Sequence, residues 1–156
     1  MASWSEFEAA APELAASVRA RLDAHVHKTL ATLRRDGSPR ISGSETNFAD
    51  GELWIGSMWQ ARKALDLQRD PRFALHSGSD DPPDWTGDAK LSGIAQEVTD
   101  PDRVREINGG DGEARPSHLF RLDLREVSTV GLNDARNALV IEVWTPDGGV
   151  RRIERA

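Results

Sequence analysis

The chain has 156 residues, 38% hydrophobic and 29% charged, which predicts one globular domain over residues 1–156. It contains no cysteine, so disulfides and thiolate sites are excluded and a cytoplasmic location is expected. The formal net charge of −6 argues against non-specific nucleic-acid binding, which needs a broad basic surface. No apolar run approaches the roughly 20 residues of a membrane helix, and no secretion signal is recognisable, so no membrane partner is expected.

Residues 1–25 predict two helices. Ser3 and Glu6 have the spacing of a capping box, in which each side chain satisfies a free backbone donor of the helix start. Pro12 fits the first turn of a second helix. In that helix Leu14, Val18 and Leu22 form one apolar stripe, which indicates packing against a core.

From Lys28 the sequence predicts a barrel region that extends to residue 155. Residues 28–58 fit three strands joined by Asp-Gly turns at 35–39 and 49–52. A short helix follows at about 60–69 and ends before Pro71, because the residue before a proline avoids helical geometry. Residues 72–77 then predict a fourth strand.

The second half continues this pattern. A long strand is predicted at 88–100, with Gly93 marking a bend or bulge, and Asp100 caps a helix over 100–108. A loop at 109–117, a strand at 118–127 and a hairpin at 138–155 complete the chain. Seven or eight strands, mostly joined as hairpins, predict an antiparallel sheet curled into a barrel with helices outside it.

Arg62 and Lys63 are placed unusually for cations. The first turn of a helix is partially positive and favours acidic side chains by about 0.3–1 kcal/mol each. Two cations there predict a bound anion, since charge-assisted hydrogen bonds of about 1.5–3 kcal/mol outweigh that penalty. Gly56 and Ser57 leave little bulk at the preceding strand end. The alternative is that both cations are solvated and paired with Asp66 or Asp70.

The segment 40–45, Arg-Ile-Ser-Gly-Ser-Glu, is the second unusual feature. Ser42, Gly43 and Ser44 place small polar groups where a strand usually carries branched or aromatic residues. A flat ligand could lie against this surface, and Arg40 could reach the same pocket as Arg62 and Lys63. The alternative is an ordinary polar outer face.

Together these features resemble a known family. Residues 39–75, PRISGSETNFADGELWIGSMWQARKALDLQRDPRFAL, are similar to the core of the pyridoxamine-phosphate-oxidase-like split-barrel flavoproteins. The resemblance is specific over 28–77 and looser over 88–131. It implies a mainly β fold, a six-stranded antiparallel split β-barrel with N-terminal and short flanking helices. It also implies a homodimer with one flavin at each of two sites across the interface.

The resemblance implies a role for each of the unusual residues. It places the isoalloxazine and ribityl chain against Arg40, Ile41, Ser42, Gly43, Ser44 and Glu45. It places Ile55, Gly56 and Ser57 at the strand end on the phosphate side, with Arg62 and Lys63 holding the phosphate. Asp88 or Lys90 would approach from the next long strand, and Arg136 would come from the partner subunit. Neither a catalytic acid or base nor a metal site is expected.

The resemblance also implies a function. The family's vitamin B6 oxidases grip the substrate phosphate with a tyrosine, and this chain has no tyrosine, so vitamin B6 is not the expected substrate. An oxidoreductase is expected that uses FMN, or alternatively the 8-hydroxy-5-deazaflavin coenzyme, to act on a small-molecule redox substrate. Arg34, Arg35 and Arg69 could extend a basic groove for the acidic tail of the deazaflavin. Two alternatives stay open: a non-catalytic carrier of flavin, deazaflavin or haem, and a barrel that acts only through its dimer surface.

Overall fold

The computed structural model describes residues 1–109 and 116–156. Its four helices are α1 (Trp4–Ala10), α2 (Pro12–Asp23), α3 (Arg62–Arg69) and α4 (Pro101–Asn108). The described strands are β1 (Lys28–Leu33), β2 (Pro39–Ser44), β3 (Thr46–Ala49), β4 (Glu52–Met58), β5 (Arg72–His76), β6 (Asp88–Glu97), β7 (Ser117–Leu132), β8 (Leu139–Thr145) and β9 (Gly149–Arg155).

All nine described strands join one antiparallel sheet in the order β2-β1-β5-β6-β7-β4-β3, and β8 and β9 extend it from β7. β7 carries this branch because it has 16 residues: its first residues pair with β4 and its last with β8. β2 and β3 end the main strand order, so the sheet curls without closing. The predicted split barrel with flanking helices is thus confirmed. Among the described residues, β2 pairs along one edge only, with β1.

The strands differ from the sequence prediction most clearly in two regions, and β6 also ends at Glu97 rather than at residue 100. Residues 28–58 form four strands rather than three, because the chain leaves the sheet at Glu45, between β2 and β3. β7 extends five residues past the predicted end at Val127, since its second half gains β8 as a partner. The predicted loop at 109–117 falls mostly outside the described residues.

Gly93 lies at the expected irregularity of β6. The register with β7 shifts between Ser92 and Gly93. A Cβ at Gly93 would collide with the backbone carbonyl of Asp123, so only glycine fits this close approach of two strands. The bulge bends β6 and helps the sheet to curl.

The N-terminal helices cover the main hydrophobic core. The Ser3–Glu6 capping box is present, and it orients α1 so that Trp4 and Phe7 are buried. The apolar stripe of α2 is buried in the same cluster, which includes Leu30 of β1, Ile55 of β4 and Leu122 of β7. Among residues 1–109 and 116–156, no helix has both the length and the apolar character needed to cross a bilayer.

Candidate ligand-binding site

One cleft, here the main cleft, has a volume of about 1460 Å³ and lies between the end of β2, the end of β4, the start of α3 and α4. Pockets that hold small molecules typically measure about 300–1,000 Å³, so this open cleft has room for more than one ring system. Half of the predicted site residues line it: Gly43, Ser44, Glu45, Gly56, Ser57 and Lys63.

Lys63 spans the open seam between α3 and β2. Its Nζ donates to the carbonyl oxygen of Gly43 at 2.8 Å and to Oγ of Ser44 at 3.4 Å. An ammonium carries three protons, so one donor stays available to a ligand. Burial lowers the pKa of Lys63, and the nearby carboxylate of Glu45 only partly offsets this effect. The seam therefore holds a partly desolvated cation whose attraction to an anion is stronger than in water.

A second cleft, here the arginine cleft, lies on the other side of α3. Five arginines and two aspartates line it together with Leu65: Arg34, Arg35, Arg40, Arg62, Arg69, Asp36 and Asp66. Arg62 is exposed, and its side chain makes no hydrogen bond or ion pair with any described residue. On a chain of net charge −6, this concentration of guanidinium groups gives the cleft a local positive charge that would attract an anion.

Asp66 fixes the arginines on either side of it. Its carboxylate is 4% exposed and accepts from Thr32 Oγ1 at 2.9 Å, Arg40 Nε at 2.6 Å and Arg69 at 3.1 Å. Burial alone would raise the pKa of Asp66, but the hydrogen bonds from Arg40, Arg69 and Thr32 outweigh burial and lower it. Asp66 therefore stays ionised and orients two guanidinium groups.

The single chain does not bring Arg62 and Lys63 into one cleft. Successive residues of a helix are rotated by about 100°, so the two side chains leave α3 in different directions. Arg62 lines the arginine cleft with Arg40, whereas Lys63 lines the main cleft. As the sequence analysis expected, Arg62 and Lys63 lie in the first turn of a helix. That turn contains no acidic residue, and Ala61 before it provides no side-chain cap.

The remaining predicted residues lie outside the described lining of both clefts. Ile41 is 73% exposed, Ser42 is half-buried, and Ile55 is fully buried in the core. Lys90 is exposed on β6 opposite His76 and Ser128. The two weaker candidates are also distant from the clefts: Asp88 accepts from the indole of Trp85, and Arg136 lies in the turn between β7 and β8.

The space next to Gly56 is filled by another residue of the chain. A Cβ at Gly56 would lie 2.6 Å from Oδ1 of Asn108, whose Nδ2 donates to Ser117 Oγ at 2.9 Å and to the His118 carbonyl at 3.2 Å. The missing side chain thus lets α4 approach β4. The sequence analysis read the same glycine as room for a phosphate.

Sequence reasoning missed a polar and aromatic cluster on the β7 side of the main cleft. His118 is 1% exposed, its Nδ1 contacts Oε1 of Glu97 at 2.6 Å, and its ring stacks on Trp59. Glu97 and Trp59 both line the main cleft. The sequence signal for this cluster was Trp59 itself, a tryptophan just before the Arg-Lys pair that could cover the face of a ring. The His118–Glu97 contact depends on the β6–β7 register, which follows from the bulge at Gly93.

Solved structures share this fold at low sequence identity. An FMN-binding protein related to pyridoxamine 5'-phosphate oxidase, from Nostoc punctiforme, has a TM-score of 0.62 at 12% identity, covering 90% of this chain and 94% of that one. A haem-binding protein from Mycobacterium smegmatis has a TM-score of 0.57 at 16% identity, covering 90% and 88%. An F420 reductase has a TM-score of 0.50 at 19% identity, covering 65% and 88%.

Sequence comparison finds partial relatives and a matching family model. The ATP phosphoribosyltransferase regulatory subunit of Burkholderia mallei is 31% identical over 91 residues, which are 58% of this chain. The match spans 22% of that subunit's length, too little to transfer its role. A family model described as pyridoxamine 5'-phosphate oxidase matches residues 14–131, a range that includes the described lining residues of both clefts. Since the match covers most of the chain and the split barrel agrees with it, the chain belongs to the pyridoxamine 5'-phosphate oxidase family.

Proposed function

We propose that the chain is a flavin- or deazaflavin-dependent oxidoreductase whose cofactor lies along the unpaired edge of β2. The observation that carries the proposal is that β2 runs from the arginine cleft at its start to the main cleft at its end. Arg40 at its start lines the arginine cleft, and Gly43 and Ser44 at its end line the main cleft. At about 3.3 Å per residue, the strand separates these ends by roughly 13 Å. An elongated ligand with an anionic tail and a flat head matches this arrangement.

The arginine cleft fits the phosphate of such a cofactor. The Arg62 side chain donates to no residue in the described part of the chain, and Arg40 is already oriented by Asp66. Guanidinium groups bind phosphate oxygens through paired hydrogen bonds, and the uncapped N–H groups at the start of α3 favour the same charge. Arg34, Arg35 and Arg69 would serve the longer acidic tail of a deazaflavin coenzyme.

The main cleft fits the ring system. Lys63 would turn its remaining proton toward an electron-rich edge of the ring, and Ser44 would offer its hydroxyl. When bound, the cofactor supplies the hydride chemistry, and the protein supplies binding, orientation and charge. Structural neighbours described as FMN-binding and as an F420 reductase support FMN and deazaflavin, in that order, as cofactor candidates.

The proposal includes a homodimer and a small-molecule redox substrate in the cytoplasm. Large apolar side chains are exposed at the edge of β2 and at the end of β4, with Ile41 73% and Met58 81% exposed. A second copy that covered them would also shield the cofactor from water. Vitamin B6 is not proposed as the substrate, because the chain has no tyrosine to grip its phosphate.

A non-catalytic carrier is the second candidate, and one observation favours it. His27 lines the main cleft with a side chain that is 79% exposed, and its Nε2 lies 3.6 Å from Oε1 of Glu45. An accessible imidazole is a potential axial ligand for haem iron. A structural neighbour is described as a haem-binding protein. Haem titration of the wild type and of His27→Ala tests this candidate: a Soret band shift that needs His27 supports it.

Cofactor titration of the purified protein tests the main proposal. We expect FMN or the deazaflavin coenzyme to bind the wild type. Arg62→Glu and Lys63→Glu should each weaken binding by roughly ten- to a hundredfold, since each removes a charge-assisted contact. Arg151→Glu, an exposed cation on β9 outside both clefts, is the matched control and should bind normally. Unchanged affinity in both cleft variants, with folding verified by circular dichroism, would contradict the site.

A second measurement separates enzyme from carrier. The loaded protein is supplied with a hydride donor and an electron acceptor, and repeated oxidation and reduction of the bound cofactor is followed by absorbance. Sustained turnover supports the oxidoreductase, whereas retention of the cofactor without turnover against a panel of donors and acceptors supports the carrier.

A further inference from the structure

Trp59 presents a large aromatic surface in an unusual position. It lies between β4 and α3, lines the main cleft and is 54% exposed. One face of its indole stacks on the imidazole of His118, with 4.6 Å between centroids and 8° between planes. Because His118 is the one aromatic ring among the described residues that stacks on this indole and 54% of the residue stays exposed, the opposite face offers a surface for a ligand ring.

His118 is held as a rigid support beneath this indole. Its Nε2 accepts from the backbone N–H of Gln60 at 3.1 Å, so its Nδ1 carries the proton and donates to Oε1 of Glu97 at 2.6 Å. The other carboxylate oxygen of Glu97 accepts from Gln68 Nε2 at 2.9 Å. Both nitrogens of the imidazole are therefore engaged, and the ring cannot rotate without breaking a hydrogen bond.

The backbone beside Trp59 is also constrained. Gln60 has φ of 59°, a left-handed conformation that non-glycine residues rarely adopt. The hydrogen bond from its N–H to His118 helps to hold it there. Strained conformations persist where the surroundings impose them, and they concentrate at ligand-binding sites. His118 of β7 thus holds the backbone at Gln60 in place, and this backbone in its place holds the indole of Trp59.

Trp59 and Lys63 divide the main cleft into two ends. Lys63 donates a hydrogen bond to β2. Trp59 instead stacks on His118 of β7, the strand that pairs with β4. The β7 end is completed by Met58, Val98 and Val104. Its charged groups already have partners: Glu97 is bound by His118 and Gln68, and Arg105 pairs with Asp102 at 3.0 Å. An apolar wall whose described charged groups are already hydrogen-bonded favours an uncharged ligand.

We propose that the β7 end of the main cleft binds a flat, uncharged, conjugated ring against the free face of Trp59, and that His118 is the positioning residue of this stack. The ring belongs to the redox substrate, which meets the cofactor held at the β2 end. The identification of the ring as the substrate's rests on the proposed function, whereas the stack itself rests on the contacts of Trp59 and His118.

Titration of FMN-loaded protein with 2-naphthol, a neutral two-ring aromatic compound, tests the stack by calorimetry. Trp59→Ala should weaken 2-naphthol binding roughly three- to tenfold and leave FMN affinity unchanged, because one aromatic stack is lost. Trp59→Phe should retain most of the affinity. Trp85→Ala is the matched control, since Trp85 is a partly exposed tryptophan outside both clefts, and it should bind as the wild type does.

The positioning role has its own readout. His118→Phe keeps a flat ring below the indole but removes both hydrogen bonds. In protein labelled with 5-fluorotryptophan, it should shift and broaden the fluorine resonance of Trp59 and weaken 2-naphthol binding. The resonance is assigned by its loss in Trp59→Phe. An unchanged resonance together with unchanged affinity in His118→Phe would overturn the positioning role.

The outcomes separate the two proposals. If the wild type holds FMN and Trp59→Ala binds 2-naphthol as tightly as the wild type does, the stack is wrong. If Trp59→Ala instead loses FMN binding, Trp59 contacts the cofactor, and the assignment of the β7 end to the substrate is wrong. If the wild type binds neither FMN nor the deazaflavin, the proposed function fails. In that case the stack is tested separately, by titrating 2-naphthol into the ligand-free wild type and Trp59→Ala. Weaker binding by the variant supports the stack, and equal binding contradicts it.

Discussion

The protonation state of Lys63 should control how tightly an anionic cofactor binds. Its ammonium is partly desolvated, and burial lowers its pKa from the ordinary value of about 10.4. Because only the protonated form attracts an anionic ligand, we expect cofactor affinity to decline at a lower alkaline pH than an ordinary lysine would give. Lys63→Arg should remove this decline, since arginine stays charged. Titrations across alkaline pH test this, and identical profiles for both proteins would contradict it.

Asp66 should control stability at acidic pH. Its folded-state pKa is lowered, so its stabilising charge is complete above the unfolded-state value of about 3.9 and is lost as the pH falls through the folded value. Asp66→Asn should lower the free energy of unfolding by about 2 kcal/mol at neutral pH, less than a fully buried ion pair because Arg40 and Arg69 keep contact with water. It should also flatten the loss of stability below pH about 4. Denaturant unfolding at several pH values measures both effects, and a variant as stable and as acid-sensitive as the wild type would refute this role.

At the residue scale, the sequence showed which charged residues are present but not where their side chains point. Two cations in an uncapped first turn are visible in the sequence, because capping preferences are local. The separation of Arg62 from Lys63 depends on how α3 docks on the sheet. The pairing of Arg40 with Asp66 joins residues 26 positions apart, so sequence spacing could not reveal it.

At the element scale, the bulge in β6 sets the register of the neighbouring strands. A methyl group at Gly93 would collide with the carbonyl of Asp123 across the pair. Gly93→Ala should therefore lower the free energy of unfolding by about 3 kcal/mol, as overpacking does. Gly43→Ala is the control, since a Cβ there meets no atom within 4 Å, and its stability should stay close to the wild type. Thermal unfolding compares them, and equal stability of the two variants would refute the steric role of Gly93.

Element type was predictable wherever the signal was local. The capping box of α1, the proline start of α2, the Asp100 cap of α4 and the hairpin of β8 and β9 all lie where their motifs indicate. The break at Glu45 was missed because nothing in the strand-like run 39–49 marks it. The second half of β7 was missed because its partner, β8, follows in the chain.

At the scale of the whole molecule, the account expects a homodimer that covers the exposed edge of β2. Ile41→Glu places a charge in that interface and should weaken self-association roughly tenfold or more, because a buried unpaired charge is costly. Val150→Glu, on the distant strand β9, is the control. Sedimentation velocity over a concentration series measures both. A wild type that stays monomeric at all concentrations would contradict the homodimer.

The overall fold was largely predictable, whereas the site was predictable in part. Alternating strands and tight turns give an antiparallel sheet, and residues 39–75 resemble the family closely enough to indicate its split barrel. The main cleft also needs α4, His118 and Glu97, which come from the second half of the chain and meet only through the β6–β7 pairing. Contacts set by tertiary register leave no local pattern in a sequence.

The central claim is that a flavin-type cofactor lies along the edge of β2, between the two clefts. Amide chemical-shift mapping during titration with FMN, or with the deazaflavin coenzyme, tests it most directly. The account predicts that the largest shifts fall on residues 40–45 and on Arg62 and Lys63. Saturable binding whose shifts fall elsewhere, with residues 40–45 and the start of α3 unaffected, would contradict it.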